Sequence, residues 1–136
     1  PDMKPLSLAA WAAICMTSVL TSCHENFDKR LEREAREFTE NRCPQEPEPG
    51  TRLDSTTYHP EQHVYTLWYS LAAANEAAMR EQTELMHRLL VRELVGDVNY
   101  KMLKDEGITF RYVYRSQATG AVVYDTQIKA EEYRTH

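Results

Sequence analysis

This sequence contains few of the residues that build disulfide scaffolds, flexible linkers or nucleic-acid surfaces. Its 136 residues include 3 cysteines, 4 glycines and 6 prolines, which excludes a disulfide-rich scaffold and a collagen-like or glycine-rich chain. Basic residues are outnumbered by acidic ones, 16 to 21, and they form no basic stripe. We therefore predict no nucleic-acid partner. A hydrophobic content of 42% is sufficient for one buried core.

The sequence also lacks the common catalytic motifs. It contains no Gly-x-Ser-x-Gly, no glycine-rich phosphate loop and no His-Glu-x-x-His. His59 and His63 have the spacing of zinc ligands on a helix, but Pro60 places them in a turn, where that spacing loses its geometric meaning. Carboxylates near the first predicted helix are interleaved with Lys and Arg, which favours a solvated, ion-paired face. We predict no catalytic residues, no metal and no cofactor.

The N-terminal segment has the pattern of an export signal. Reading from Met3, Lys4 is followed by an uncharged stretch over 6–20 and by the tetrapeptide Leu20–Cys23. A basic start, an apolar stretch and small residues before a cut site are typical of a secretory signal. The apolar stretch is shorter than the roughly 20 residues that span a membrane comfortably. The tetrapeptide, an aliphatic residue and two small residues before a cysteine, resembles the lipobox of bacterial lipoproteins.

That resemblance implies a lipid anchor on Cys23. Residues 1–22 would be a signal peptide that is removed, and 23–136 would be one mature domain whose Cys23 carries lipid such as palmitate. The protein would then be exported and anchored to a bacterial membrane, on its periplasmic or surface side. A cleaved signal without lipid, an uncleaved anchor and a buried helix are the alternatives. Cys43 would keep the remaining thiol, either packed as a small hydrophobe or available for an intermolecular disulfide.

Periodicity predicts an α+β fold of the order α-β-β-α-(α)-β-β, with an antiparallel sheet covered by helices on one face. Helix plus hairpin occurs twice, which leaves a pseudo-twofold or a strand-exchanged homodimer open. The predicted elements are a helix over 25–42, a rigid linker over Pro44–Gly50, a hairpin of Thr51–Tyr58 and Val64–Leu71, a helix over 73–95, a short helix over 97–105, a hairpin of 108–115 and 121–128, and a polar tail from about Lys129 that is expected to fray.

Aromatic residues and two arginines on the predicted strands are the candidate binding residues. In the last hairpin, the apolar set that contains Phe110 alternates with the set that contains Arg111 and Arg115, so the arginines should face solvent or a partner. The strand aromatics are either cross-strand core pairs or an exposed patch for a peptide, glycan or protein. The candidate partner-binding residues are Arg111, Arg115, Tyr65 and Tyr69.

A second resemblance covers most of the predicted mature chain. Cys43-Pro44, the segment 51–55 and the segment 108–116 resemble small uncharacterised bacterial lipoproteins of helix–hairpin build. The resemblance supplies no activity of its own. The sequence as a whole predicts a membrane-anchored lipoprotein acting as a non-catalytic binding or interaction module in the bacterial cell envelope. The alternative is a small envelope hydrolase, or an accessory subunit of envelope or polysaccharide processing.

The lipid anchor can be tested at Cys23. We expect Cys23→Ser to abolish lipid labelling and to leave unprocessed precursor, because the thiol that would receive the diacylglycerol is gone. Cys43→Ser serves as the matched control and should remain labelled. Intact-mass analysis of the membrane fraction measures both, and a wild-type protein without acyl mass would contradict the lipoprotein interpretation.

Overall fold

A computed structural model describes residues 26–134, so the predicted signal peptide and Cys23 lie outside the described residues. Within 26–134, no helix is both long and apolar enough to cross a membrane. The elements in chain order are α1 (26–42), β1 (Gln45–Glu48), β2 (Thr51–His59), β3 (Val64–Leu71), α2 (Ala73–Glu81), α3 (Thr83–Gly96), a 3-10 turn (Val98–Tyr100), α4 (Lys101–Asp105), β4 (Thr109–Ser116), β5 (Val122–Ile128) and α5 (Ala130–Arg134).

The five strands form one sheet in the order β1-β2-β3-β4-β5. This confirms the predicted α+β class, and both predicted hairpins are present as β2–β3 and β4–β5. The sheet differs from the expected all-antiparallel arrangement at one pair, because β3 and β4 run parallel. A parallel pair requires a long crossover connection, which α2, α3, the 3-10 turn and α4 supply.

Two segments expected to be irregular are ordered. The predicted linker Pro44–Gly50 contains β1, a short edge strand paired with β2, where proline is tolerated because one side of an edge strand needs no ladder donor. The tail expected to fray from about Lys129 instead forms α5. Tyr133 on α5 is buried, and its hydroxyl donates to the carbonyl oxygen of Ile108 over 2.7 Å.

The helix predicted over 73–95 is interrupted at Gln82. This residue has φ −131° and ψ 39°, outside the helical region, and it separates α2 from α3. The short helix predicted over 97–105 is a 3-10 turn followed by α4. Residues 73–96 therefore form two helices, α2 and α3, in place of the one that was predicted.

The core lies between the sheet and the helices. Phe110 is fully buried, and the rings of Tyr65, Tyr100 and Tyr133 surround it with centroid distances of 6.1, 5.4 and 5.9 Å. Two of these pairs are edge-on and the pair with Tyr65 is tilted; edge-on aromatic pairs stabilise beyond the area they bury, by about 0.5–1.5 kcal/mol each. The predicted alternation of the last hairpin is confirmed, since its apolar set faces this core.

Helix α1 is fixed to β2 by hydrogen bonds as well as by apolar contacts. Its apolar stripe buries Leu31 and Ala35. Thr56 on β2 donates from Oγ1 to the Ala35 carbonyl oxygen over 3.0 Å, and its N–H donates to Thr39 Oγ1 over 2.8 Å. Thr66 on the neighbouring strand is equally buried, yet its Oγ1 has no hydrogen-bond partner among the described residues.

The two buried threonines should respond oppositely to replacement by valine, which has nearly the same shape. Thr56→Val removes the hydrogen bond from Thr56 Oγ1 to the Ala35 carbonyl oxygen, which still accepts from Thr39 Oγ1 over 3.0 Å. We expect it to lower the free energy of unfolding by about 0.5–1.5 kcal/mol, the usual net contribution of one hydrogen bond. Thr66→Val removes a hydroxyl that is desolvated without compensation, so stability should stay equal or rise. Urea unfolding measures both variants. An equal loss in both variants would show that the hydrogen bond from the Thr56 hydroxyl contributes little.

A histidine connects the last helix to the rest of the fold. His87 on α3 lies 2.7 Å from Thr126 Oγ1 through Nδ1 and 2.7 Å from Glu132 Oε1 through Nε2. The other Glu132 oxygen accepts the backbone N–H of Lys129 over 2.9 Å. Burial by itself raises the pKa of Glu132, but the hydrogen bonds from His87 and Lys129 outweigh it, and the pKa is lowered from its usual 4.5.

This arrangement predicts an acid-sensitive contribution to stability. A carboxyl whose pKa is lower in the folded state stabilises the fold at pH values above its unfolded pKa, and that stabilisation is lost as pH falls through the folded pKa. We therefore expect the free energy of unfolding to fall less steeply below about pH 4.5 in Glu132→Gln than in the wild type. Glu131→Gln, an exposed neighbour on α5, is the control. Urea unfolding at several pH values measures how the free energy of unfolding depends on pH. An identical pH dependence in the wild type and Glu132→Gln would contradict the role of Glu132.

Candidate functional site

A groove of about 720 Å³ lies on the helical side of the sheet, above β3 and β4. Leu67, Tyr69, Tyr112 and Tyr114 form its floor. One wall is the face of α1 that carries Phe38, and the other is the face of α3; the 3-10 turn and β1 complete the lining. Its volume is within the range of about 300–1,000 Å³ that is usual for ligand pockets.

The groove exists because the two wall helices are attached to opposite sides of the sheet. Helix α1 is hydrogen-bonded to β2 through Thr39 and Thr56. Helix α3 is bonded to β5 through His87 and Thr126. The space between the two helices lies over β3 and β4, where Tyr69 is half-buried and Leu67, Tyr112 and Tyr114 are buried.

Tyrosine hydroxyls give the apolar floor a polar component. The rings of Tyr69 and Tyr114 are stacked with centroids 4.6 Å apart. No hydrogen-bond partner occurs among the described residues for the hydroxyls of Tyr69, Tyr112 and Tyr114, and none of these oxygens is both buried and unsatisfied. These oxygens therefore keep some contact with solvent, and all three residues line the groove. Burial is the main cause that raises the pKa of Tyr112, so its hydroxyl stays protonated at neutral pH.

The charged side chains of the groove are mainly acidic. Four carboxylates line it, against the single guanidinium of Arg42. An apolar floor with an acidic rim suits a ligand that has an apolar face and basic groups beside it. The four lining carboxylates belong to Glu34, Glu48, Glu93 and Asp97.

The structure separates the four predicted partner-binding residues into two pairs. Tyr65 and Tyr69 line the groove, on the helical side of the sheet. Arg111 and Arg115 point to the opposite face, where they contact Trp68. The four residues therefore cannot form one site. The groove walls were missed because α1 and α3 are distant in sequence, and no local pattern shows that they face each other.

The other residues considered for chemistry form no reactive centre among the described residues. Cys43 is half-buried, and burial followed by the nearby Asp54 raises the pKa of its thiol, which disfavours the thiolate that a nucleophile requires. His59 and His63 are both exposed, at the two ends of the β2–β3 turn. Over 26–134, no three His, Cys, Asp or Glu side chains are grouped so as to hold a metal ion.

Comparison with known sequences gives one family. Residues 26–124 match the family model described as Domain of unknown function (DUF8479). The matched segment extends from α1 into β5, so it includes both walls and the floor of the groove. No curated protein sequence matches the chain.

Solved structures share the fold. A candidate secreted protein from Pseudomonas aeruginosa aligns over 79% of this chain and 92% of its own, with a TM-score of 0.69 and 19% identity. Two other solved structures with this fold are type II secretion system pilotins. AspS from Vibrio cholerae aligns over 83% of this chain and 97% of its own, with a TM-score of 0.61 and 17% identity. EpsS from Vibrio vulnificus aligns over 78% of this chain and 94% of its own, with a TM-score of 0.59 and 15% identity. At these identities the likeness establishes the fold.

Proposed function

Because this chain belongs to the DUF8479 family, whose description gives no activity, we infer that its function follows from the geometry of its groove. We propose that it is a non-catalytic binding module of the bacterial cell envelope, and that its groove holds an apolar segment of a protein partner. The observation that carries this proposal is the groove itself, with its tyrosine and leucine floor and acidic rim. Burying apolar side chains there supplies affinity, and the free tyrosine hydroxyls supply hydrogen bonds.

An amphipathic helix is the occupant that fits best. Such a helix places apolar side chains at i, i+3, i+4 and i+7 into a groove and keeps its polar face at the rim. The rim carboxylates, Glu93 on α3 among them, complement lysine or arginine on that polar face. The proposed partner segment is therefore a helix with an apolar stripe flanked by basic residues.

The fold and the N-terminal sequence support the envelope setting. The fold is shared with a candidate secreted protein and with two type II secretion system pilotins. We therefore propose that the chain binds one protein component of an assembly in the cell envelope. The lipobox-like Leu20–Cys23 would attach the protein to a membrane, and α1 is already helical at residue 26, only three positions after Cys23.

The hydrolase alternative gains no support from the groove. Burial is the main cause that raises the pKa of Tyr69 and Tyr114, so both hydroxyls stay protonated at neutral pH and supply no base. No histidine is among the described residues that line the groove.

The groove can be tested with two model helices that have the same leucine stripe. One carries lysine on its polar face and the other glutamate. We expect the lysine helix to bind more tightly and to shift the NMR signals of the floor tyrosines. Glu93→Lys should weaken its binding by roughly three- to tenfold, from loss and reversal of one partly exposed charge contact. Glu81→Lys, at the exposed end of α2, is the matched control.

Two results would reject the proposal. One is equal affinity for the lysine and glutamate helices, which would remove the role of the acidic rim. The other is binding that shifts the signals of the opposite sheet face and leaves the floor tyrosines unchanged.

A further inference from the structure

The sheet face that no described helix covers, called the open face, carries one tryptophan beside two arginines. Trp68 on β3 pairs in register with Val113 on β4, so Arg111 and Arg115 flank it on the adjacent strand. Their guanidinium carbons lie 5.8 and 4.6 Å from the centroid of the Trp68 ring. The indole N–H donates to Thr57 Oγ1 over 2.9 Å, which fixes the orientation of the ring.

The two arginines differ in whether they can still donate hydrogen bonds to a ligand. Arg111 donates from Nε and Nη2 to the two carboxylate oxygens of Asp125, over 2.9 and 2.6 Å. Its charge is thus paired within the sheet. Arg115 is exposed, and its side chain makes no hydrogen bond or ion pair with any residue over 26–134. Arg115 is therefore a guanidinium held by stacking, with its N–H groups free.

From this difference we propose that Arg115, stacked on Trp68, binds the carboxylate of an acidic side chain on a second protein partner. A guanidinium presents paired N–H donors that match the two oxygens of a carboxylate. Because the stack already limits the motion of Arg115, less side-chain freedom is lost when a carboxylate binds. The site lies on the other side of the sheet from the groove and does not depend on what the groove holds.

A protein carboxylate fits this surface better than a sugar. Binding a sugar ring by stacking requires a free aromatic face, whereas Arg115 already lies 4.6 Å from the Trp68 ring. The remaining charges of the open face are paired with each other, as in Arg52 with Asp54 at 2.6 Å. The open face therefore presents one unpaired positive charge, that of Arg115, whereas the rim of the groove is acidic. The two faces therefore select partners of opposite charge, and one molecule can hold both.

The probe is a short extended peptide of alternating glutamate and threonine, compared with one in which glutamine replaces glutamate. The full chain carries Trp11→Phe, so that Trp68 is its only tryptophan. We expect the glutamate peptide to shift the indole N–H signal of Trp68 and the side-chain N–H signal of Arg115. Arg115→Ala should weaken its binding about tenfold, the loss expected for a charged hydrogen bond. Arg115→Lys keeps the charge but loses the paired donors, and should recover only part of the affinity.

Arg92→Ala, at an exposed position on α3, is the matched control and should leave peptide binding unchanged. Equal binding of the two peptides, or unchanged affinity in Arg115→Ala, would overturn the proposal. Polygalacturonate forms a separate arm of the titration. If it binds more tightly than the peptide and depends on Arg115, the occupant is an acidic glycan and the assignment to a protein carboxylate is wrong.

Discussion

The parallel pairing of β3 with β4 is the constraint on which the rest of this structure depends. Two parallel neighbours cannot be joined by a tight turn, so the chain must leave the end of β3 and return across the sheet. The connecting helices therefore lie over one face, the face that α1 also covers. One side of the sheet becomes the core and the groove, while no described helix covers the other. The same pairing sets Trp68 beside the two arginines of β4.

The groove results from hydrogen bonds that attach α1 and α3 to strands at the two sides of the sheet. Thr39 and Thr56 hold α1 over β2, while His87 and Thr126 hold α3 over β5. Hydrogen bonds of this kind contribute modestly to stability but are directional, and they fix where a helix lies more sharply than apolar contact does. Between the helices the floor is reached mainly at Tyr69, which is half-buried, whereas Leu67, Tyr112 and Tyr114 are buried.

The hairpins were predictable because strand alternation is a local property. The segment Val64–Leu71 is rich in aromatic and β-branched residues, and 108–115 alternates in a way that gives the correct inward face. The edge strand β1 was missed because all four of its residues are exposed and it has no apolar alternation. Helix α5 was missed because its burial depends on Tyr133, whose partners Ile108 and Phe110 are far away in the sequence.

The candidate site was predictable only in part, for the same reason. Alternation within β3 shows that Tyr65 and Tyr69 share a face, but it does not show whether that face also holds Arg111 and Arg115. The answer depends on how β3 pairs with β4, and these strands are separated by the whole crossover. The acidic rim was not foreseeable, because its carboxylates come from α1, β1, α3 and the turn after α3.

The two edges of the sheet have consequences for self-association. The outer strand β1 is only four residues long and carries Pro47 and two glutamates; short length, proline and charge are features that discourage a further strand from pairing. The other edge, β5, has seven residues and no proline, and no described strand pairs with its outer side. A strand of a second molecule could therefore pair with the sheet at β5, whereas β1 disfavours such pairing. Two copies joined at β5 would form a closed pair with β1 at both ends, and the series could not extend into a filament.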